Sequence, residues 1–332
     1  MIRNTETFVS GINRALAGIL ERYPEAILLG EDVEDPYGGA FKASAKLSVR
    51  FPGRVINMPV SEPAIIGVGS GLALSGMRPI VEIMFGDFVG LAADQIINHA
   101  AKFPWMYGRE VPLPLTIRTA AGSGRNYGPT HSQSLETMFI GLPDFEIWAP
   151  FPLHGMPQVY ETAFLCPRPT LIVESKALYP VRLPESLHLA TRLAANGETL
   201  LFSNCLGAAP DVLVLAYGRM AYETLGLLDR LFEDEVLVEL AVPARVYPFA
   251  PDALAERLAA AGRVMVIEEG WEAKGWGRYL AGLIHDRWFD LLDRPVRCLG
   301  AADLPIGTAP EIEAEALPTP DNIYRAIREF CR

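Results

Sequence analysis

Cysteine is scarce in this sequence, and the cysteines lie far apart. The chain has four, and no two of them form a C-x-x-C pair. A disulfide framework or a structural zinc site needs closer and more regular spacing. The pattern therefore argues against both and predicts free thiols in a reducing compartment. The four residues are Cys166, Cys205, Cys298 and Cys331.

Long hydrophobic runs are also missing. The most apolar stretch, residues 64–77, contains several glycines and ends at Arg78. A helix that spans a bilayer needs about 20 consecutive apolar residues, so this stretch is too short. Residues 1–16 are amphipathic and do not resemble a secretory signal. We therefore expect a cytoplasmic protein without a membrane partner.

No cluster of basic residues occurs along the chain. Acidic residues outnumber basic ones by 40 to 29, and the formal net charge is −11. A surface that binds nucleic acid needs grouped Lys and Arg to neutralise phosphates. An anionic membrane surface attracts the same residues. The charge pattern therefore argues against nucleic acid and membrane surfaces as partners.

Several common catalytic motifs are absent as well. The chain has no G-x-S-x-G elbow, no H-E-x-x-H pair and no P-loop. The glycines Gly67, Gly69 and Gly71 resemble a dinucleotide-binding loop, but Leu72 occupies the position of the last glycine. An interpretation of the chain as a nicotinamide-dependent dehydrogenase would depend on these misplaced glycines alone. Close packing of a helix explains them better.

What the sequence does contain is an alternation of buried strands and helices. With 332 residues, half of them hydrophobic, the chain is long enough for two domains. Helical spacing or small residues predict helices over 5–22, 62–75 and 89–103. Short apolar runs predict strands, and the alternation indicates a mostly parallel sheet covered on both faces. The strands are Ala26–Gly30, Val55–Met58, Pro79–Met84, Leu113–Thr119, Phe145–Ala149 and Thr170–Glu174.

A second α/β unit follows a polar stretch. We predict a first domain over residues 1–185, a linker over 186–208 and a second domain over 209–332. The second domain again alternates apolar strands with helical segments, so the fold class is α/β with two mostly parallel sheets. Its predicted strands are Val212–Tyr217, Val236–Leu240, Val264–Glu268 and Val296–Leu299.

Four polar or aromatic segments lie where ligands gather in such folds, at strand ends or in loops. Glu31 follows a strand, Glu62 begins an apolar helix, Phe88 follows another strand, and His131 lies in a polar loop. Each has an ordinary structural explanation when taken alone. The acidic residue after a strand can be solvated, and Ser61 or Glu62 can cap the helix. The aromatic residue can belong to the core, and the histidine to the surface.

Together with their neighbours, these segments resemble a known family. The order and the residues of these segments are similar to those of the beta subunits of thiamine-diphosphate-dependent 2-oxo acid dehydrogenases of the pyruvate and branched-chain type. The resemblance implies a transketolase-like pyrimidine-binding domain followed by a transketolase C-terminal-like domain. The segments that carry it are LLGEDV, PVSEPAIIGVGSGLALSGMRPIVEIMFGDF, DQIINHAAKF, LTIRTA, GPTHSQS and LIVESKALY.

The resemblance implies a role for each candidate residue. Glu62 matches the catalytic glutamate that shares a proton with the pyrimidine ring of thiamine diphosphate. Phe88 matches the aromatic residue that stacks on that ring, and Glu31 matches a second acidic residue near the cofactor. His131 matches the histidine that faces the substrate and could stabilise developing negative charge. Glu31, Glu62 and His131 are thus catalytic candidates, and Glu31, Glu62 and Phe88 bind the cofactor.

The resemblance also implies a partner. Members of the family hold the cofactor's diphosphate through Mg²⁺ on a G-D-G segment, and this chain has none. We therefore expect no metal ligands in this chain and expect an alpha-type subunit to hold Mg²⁺. The implied assembly has two subunits of each type, acts on a small 2-oxo acid and passes the acyl group to a lipoyl-bearing acyltransferase.

Two other functions remain open at this point. A split transketolase or an acyloin-forming enzyme would keep Glu62 and Phe88 while passing the carbanion to an aldehyde. A scaffold subunit without activity is the second alternative. The intact set of Glu62, Phe88 and His131 argues against it.

Overall fold

The computed structural model describes residues 6–106, 111–182, 191–195 and 198–332. The chain divides into two compact units. Residues 1–122 and 134–183 form the first unit, and residues 123–133 and 184–332 form the second. The sequence assigns the whole of 1–185 to the first domain, whereas the loop 123–133 groups with the second unit.

Strands and helices alternate in the first unit, as the sequence predicts. The helices are α1 (Phe8–Arg22), α2 (Leu47–Arg50), α3 (Glu62–Leu74), α4 (Phe103–Met106) and α5 (Met156–Leu165). The strands are β1 (Ala26–Gly30), β2 (Val55–Asn57), β3 (Arg78–Ile83), β4 (Thr116–Ala121), β5 (Glu146–Trp148) and β6 (Thr170–Ser175).

The strands of the first unit form a parallel sheet in the order β5-β6-β4-β3-β1-β2. Every residue of β1, β4, β5 and β6 is buried. Burial on both faces is characteristic of parallel sheets, whose crossover helices cover them. The prediction of a mostly parallel sheet is therefore confirmed.

The helix predicted over residues 89–103 is wrong in detail. A 3₁₀ turn covers Gly86–Gly90, a π-helical turn covers Gln95–Ala100, and only the short α4 follows. The π-helical turn is closed by the N–H of Ala101, which donates to the carbonyl of Ile96 at 2.9 Å. Pro104, the second residue of α4, has no N–H to donate back into the preceding π-helical turn.

A buried ion cluster joins three strands of this sheet. Arg118 on β4 is 2% exposed and donates to both carboxylate oxygens of Glu174 on β6, at 2.7 and 2.5 Å. A second branch of the guanidinium donates to Glu82 on β3. The hydroxyls of Tyr160 and Tyr179 also donate to Glu174. Sequence reasoning missed this cluster, because its three charged members lie far apart in the chain, each in a largely apolar strand.

The second unit contains a mixed sheet. The strands of this unit are β7 (Thr191–Ala195), β8 (Thr199–Ser203), β9 (Val212–Ala216), β10 (Val238–Pro243), β11 (Arg245–Tyr247), β12 (Val264–Trp271) and β13 (Arg297–Ala301). All of them except β11 belong to the sheet. The helices of the unit are α6 (Gly218–Glu233), α7 (Ala255–Ala261), α8 (Trp276–Trp288), α9 (Pro310–Ala316) and α10 (Pro320–Cys331). The sheet order is β13-β12-β9-β10-β8-β7.

The stretch 186–208 is not simply a linker. Two of its segments, β7 and β8, pair with each other in antiparallel fashion, and β8 pairs antiparallel with β10. The four strands from β13 to β10 are parallel. An antiparallel edge on a parallel sheet is common in α/β folds. The apolar residues of β8 are buried, which is the physical reason that this segment joins the sheet.

Two other expectations can be compared with the structure. All four cysteines are free, as predicted. Within the described parts of the chain, no helix combines the length and apolar character that crossing a membrane requires.

Replacing Arg118 with Met should destabilise the chain by about 3–5 kcal/mol, because Glu82 and Glu174 would remain buried without their cation. Thermal unfolding followed by circular dichroism measures the change. The matched control is Arg287→Met, which removes an exposed pair with Asp252 at 2.7 Å and should cost about 0–1 kcal/mol. Equal losses in the two variants would contradict a structural role for the buried cluster.

Candidate active site

Three adjacent strands of the first unit end at the same edge of the sheet. Gly30, the last residue of β1, pairs in parallel with Asn57 of β2 and with Glu82 of β3. The segments that leave these strands carry Glu31, Glu62 and Phe88 in turn. In open α/β sheets, ligands bind beyond the carboxyl ends of the strands. The structure thus brings three of the four predicted residues to one edge.

Glu31 is a buried carboxyl group at this edge. It is 6% exposed, and its Oε1 atom is buried without a hydrogen-bond partner. Burial and the negative charges of Glu62 and Asp32 raise its pKa, and a hydrogen bond from the backbone of Ser61 opposes the rise. A buried carboxyl group with a raised pKa can hold a proton that an exposed one would lose.

Glu62 is the first residue of α3 and is also 6% exposed. A carboxylate in the first turn interacts favourably with the partial positive charge at the helix N-terminus. The side chain of Ser61 makes no capping hydrogen bond. Of the two capping interpretations, the one that depends on the serine side chain is therefore not observed.

Close packing of α3 against the sheet fixes the position of Glu62. A β-carbon added at Gly69 would lie 2.7 Å from Cγ1 of Val81 on β3, too close for any side chain. Ile65 and Ile66 are fully buried on the same face of the helix. The close helix packing that the sequence predicts for its glycines is thus confirmed at Gly69.

Phe88 lies in the 3₁₀ turn after β3 and is half-buried. Its ring meets the ring of Phe85 edge to face, with centroids 5.7 Å apart. Gly86 lets this turn approach β4, because a β-carbon there would lie 2.5 Å from Cβ of Ala121. The turn therefore holds a partly accessible aromatic ring at the edge of the sheet.

His131 belongs to the loop 123–133 of the second unit. It is half-buried, and its Nδ1 atom lies 2.9 Å from the hydroxyl of Thr130. Its backbone N–H donates to the carbonyl of Gly128 at 3.2 Å. The structure thus places the fourth predicted residue on an ordered loop of the other unit.

The edge offers paired carboxyl groups and an aromatic ring. An unpaired buried carboxylate oxygen calls for a hydrogen-bond donor from a ligand, since leaving such an atom unpaired costs free energy. A planar nitrogen heterocycle, which can stack and also donate hydrogen bonds, fits this set. Among the described residues, no group of three or more His, Cys, Asp or Glu could hold a metal ion.

The raised pKa of Glu31 predicts a pH-dependent contribution to stability. Its proton is bound more tightly in the folded state, so the contribution is fully present below the ordinary pKa of 4.5 and is lost as the pH rises through the folded-state value. Glu31→Gln should therefore gain stability relative to the unmodified chain as the pH rises from 4 to 8.

Urea unfolding of both proteins across this range, about pH 4 to 8, measures the difference. The control is Glu256→Gln, which changes an exposed carboxylate on α7. If the stability difference between the Glu31 variant and the unmodified chain stayed constant with pH, Glu31 would not be the buried titrating group described above.

Comparison with protein-family models identifies both units. The model of the transketolase pyrimidine-binding domain matches residues 6–182. The model of the transketolase C-terminal domain matches residues 204–323. A solved split-gene transketolase, an inactive tetramer of beta chains, has a TM-score of 0.74 and 19% identity and covers 97% of both chains. This likeness establishes the shared fold.

Curated relatives match over nearly their whole length. The beta subunit of 2-oxoisovalerate dehydrogenase from Bacillus subtilis (strain 168) is 30% identical, covering 98% of both chains. The beta subunit of acetoin:2,6-dichlorophenolindophenol oxidoreductase from the same organism is 29% identical, covering 96% of this chain and 95% of the relative. The beta subunit of the pyruvate dehydrogenase E1 component from Rickettsia bellii (strain RML369-C) is 29% identical, covering 93% and 94%.

The buried carboxyl pair lies in the domain that matches the pyrimidine-binding model, and the match to the C-terminal domain follows it in the chain. The relatives named above match along 93–98% of this chain. The chain therefore belongs to the transketolase-like family of 2-oxo acid dehydrogenase E1 beta subunits.

Proposed function

We propose that this chain supplies the pyrimidine-binding half of a thiamine-diphosphate site in a 2-oxo acid dehydrogenase. The observation that carries the proposal is the buried pair Glu31 and Glu62, with the Oε1 atom of Glu31 unpartnered. The pair lies in the domain that matches the pyrimidine-binding model. A buried carboxyl group with one oxygen that lacks a donor is complementary to the amino and ring nitrogens of a pyrimidine.

Each of the four residues then has a distinct role. Glu62 shares a proton with the pyrimidine ring, and Phe88 stacks against its face. Glu31 accepts a hydrogen bond next to Glu62 and, with its raised pKa, can hold or release a proton there. His131 faces the substrate and donates to the oxygen on which negative charge develops. The bound cofactor supplies the nucleophilic carbon that decarboxylation of a 2-oxo acid requires.

The proposal includes an alpha-type partner subunit. The relatives are named as beta subunits, and the chain has no G-D-G segment. In the proposed assembly of two alpha-type and two beta-type subunits, the alpha-type subunit holds Mg²⁺ and the diphosphate. The acyl product passes to a lipoyl group on an acyltransferase core.

The substrate is best assigned with a panel. Relatives named for pyruvate, 2-oxoisovalerate and acetoin are 29%, 30% and 29% identical to this chain. Turnover of these three compounds by the complex with the alpha-type subunit measures the preference. Oxidative decarboxylation of a 2-oxo acid supports the proposal. Turnover of acetoin alone would contradict it and favour an acyloin enzyme.

Glu62→Gln in the assembled enzyme should lower kcat by about 10²–10⁴-fold, because Gln keeps the shape of the side chain but cannot exchange a proton with the ring. The measurements are kcat, the melting temperature and hydrogen–deuterium exchange at the thiazolium carbon of the bound cofactor. Glu256→Gln is again the exposed control.

The helix-cap interpretation of Glu62 leads to a different result. It predicts a loss of stability of about 1 kcal/mol with unchanged kcat. Normal thiazolium exchange in Glu62→Gln would defeat the catalytic role, whatever happened to the melting temperature.

The isolated chain should bind thiamine diphosphate weakly even with Mg²⁺, because the proposed ligands of the metal and diphosphate belong to the partner. Calorimetric titration of the chain alone and of the complex with the alpha-type subunit compares the two affinities. A tight, magnesium-dependent isotherm for the chain alone would contradict the two-subunit site.

A further inference from the structure

The loop that carries His131 has a backbone that cannot hold its shape by hydrophobic packing alone. Gly124, Asn126 and Gly128 all have positive φ, at 83°, 57° and 79°. The segment from Gly124 to Thr130 is mostly exposed. Such a loop needs hydrogen bonds from outside itself to adopt one conformation.

Glu313 on α9 supplies two of these hydrogen bonds. Its Oε1 atom accepts from the backbone N–H of Gly124, and its Oε2 atom accepts from the N–H of Asn126 at 3.2 Å. The side chain is 6% exposed. One buried carboxylate therefore holds both sides of the turn centred on residue 125. Hydrogen bonds from N–H groups to an ionised acceptor are among the stronger ones in proteins.

Glu269 on β12 holds the start of the same loop. Its Oε1 atom accepts from the backbone N–H of Ser123 at 3.2 Å and from the Ser123 hydroxyl. Arg219 on α6 donates to that hydroxyl at 2.9 Å and lies 3.7 Å from Oε1 of Glu269. Carboxylate, hydroxyl and guanidinium thus form a closed network around the first residue of the loop.

The neighbouring residue Glu268 has a separate structural task. Its two oxygens accept from the backbone N–H groups of Trp276 and Gly277 at the start of α8, at 2.8 and 2.6 Å. Successive side chains of a strand point to opposite faces. The two adjacent glutamates therefore act on different elements: Glu268 on the start of α8 and Glu269 on the loop.

We propose that Glu313 and Glu269 are positioning residues that hold His131 in its working geometry. The second unit then contributes to the substrate step. This inference rests on the proposed role of His131 in the 2-oxo acid dehydrogenase. Neither glutamate needs to touch the substrate, because each acts through the backbone of the loop.

Glu313→Gln in the assembled enzyme should lower kcat/KM for the preferred 2-oxo acid about 10–100-fold, since displacing a reacting group by about 1 Å can cost about 10²-fold. Glutamine keeps one acceptor oxygen, but its NH2 group would face the other backbone N–H and could not accept a hydrogen bond from it. Exchange at the thiazolium carbon should stay normal, because it depends on Glu62. The matched control is Glu315→Gln, an exposed glutamate on the same helix, which should leave kcat/KM unchanged.

A double-mutant cycle with His131→Ala separates positioning from general stability. If Glu313 acts only through His131, adding Glu313→Gln to His131→Ala should cause little further loss. Ser123→Ala, which removes one hydroxyl from the Glu269 network, is the mild second variant should Glu313→Gln fail to assemble. It should lower kcat/KM by up to about 10-fold. Its effect should likewise not add to that of His131→Ala.

Full additivity, or normal kcat/KM in both the glutamate and serine variants, would overturn this inference and leave the proposed function intact. Normal turnover in His131→Ala itself would overturn the inference together with the role of His131. An enzyme that decarboxylates no 2-oxo acid would overturn the proposed function as well.

Discussion

Parallel pairing of three neighbouring strands is the constraint on which the candidate site depends. Gly30 pairs with Asn57 on one side and Glu82 on the other, so β1, β2 and β3 end together. Residues that are far apart in the chain then leave the sheet at one edge. A one-residue shift in this register would move Glu31 relative to Glu62. It would also exchange the side chains that lie on the two faces of the sheet.

Buried carboxyl groups at this sheet have two different environments, one with a cation and one without. Glu82 and Glu174 are matched by the guanidinium of Arg118 inside the sheet. Glu31, one position beyond the end of β1, has no such cation, and burial together with Glu62 raises its pKa. The matched carboxylates stabilise the scaffold. The unmatched one leaves a polar atom that a ligand can satisfy, which is the usual arrangement at functional sites.

In the proposed enzyme, the second unit would position a residue of the substrate step. It matches the transketolase C-terminal domain. Glu269 and Glu313 hold the loop that carries His131, and the four residues of the family pattern are thus divided between two units. The loop has little apolar surface to bury, and carboxylate oxygens satisfy the N–H groups of Ser123, Gly124 and Asn126.

The sequence by itself determined the α/β class and the parallel strands of both sheets, and it pointed to four candidate residues, because apolar periodicity and local motifs are properties of consecutive residues. It missed the antiparallel pair β7 and β8. Only the tertiary structure decided that Arg118 joins Glu82 to Glu174, that Glu31 is buried beside Glu62, and that Glu313 holds the loop 187 residues away. These contacts join residues distant in the chain, and their energy depends on burial and geometry that no local pattern encodes.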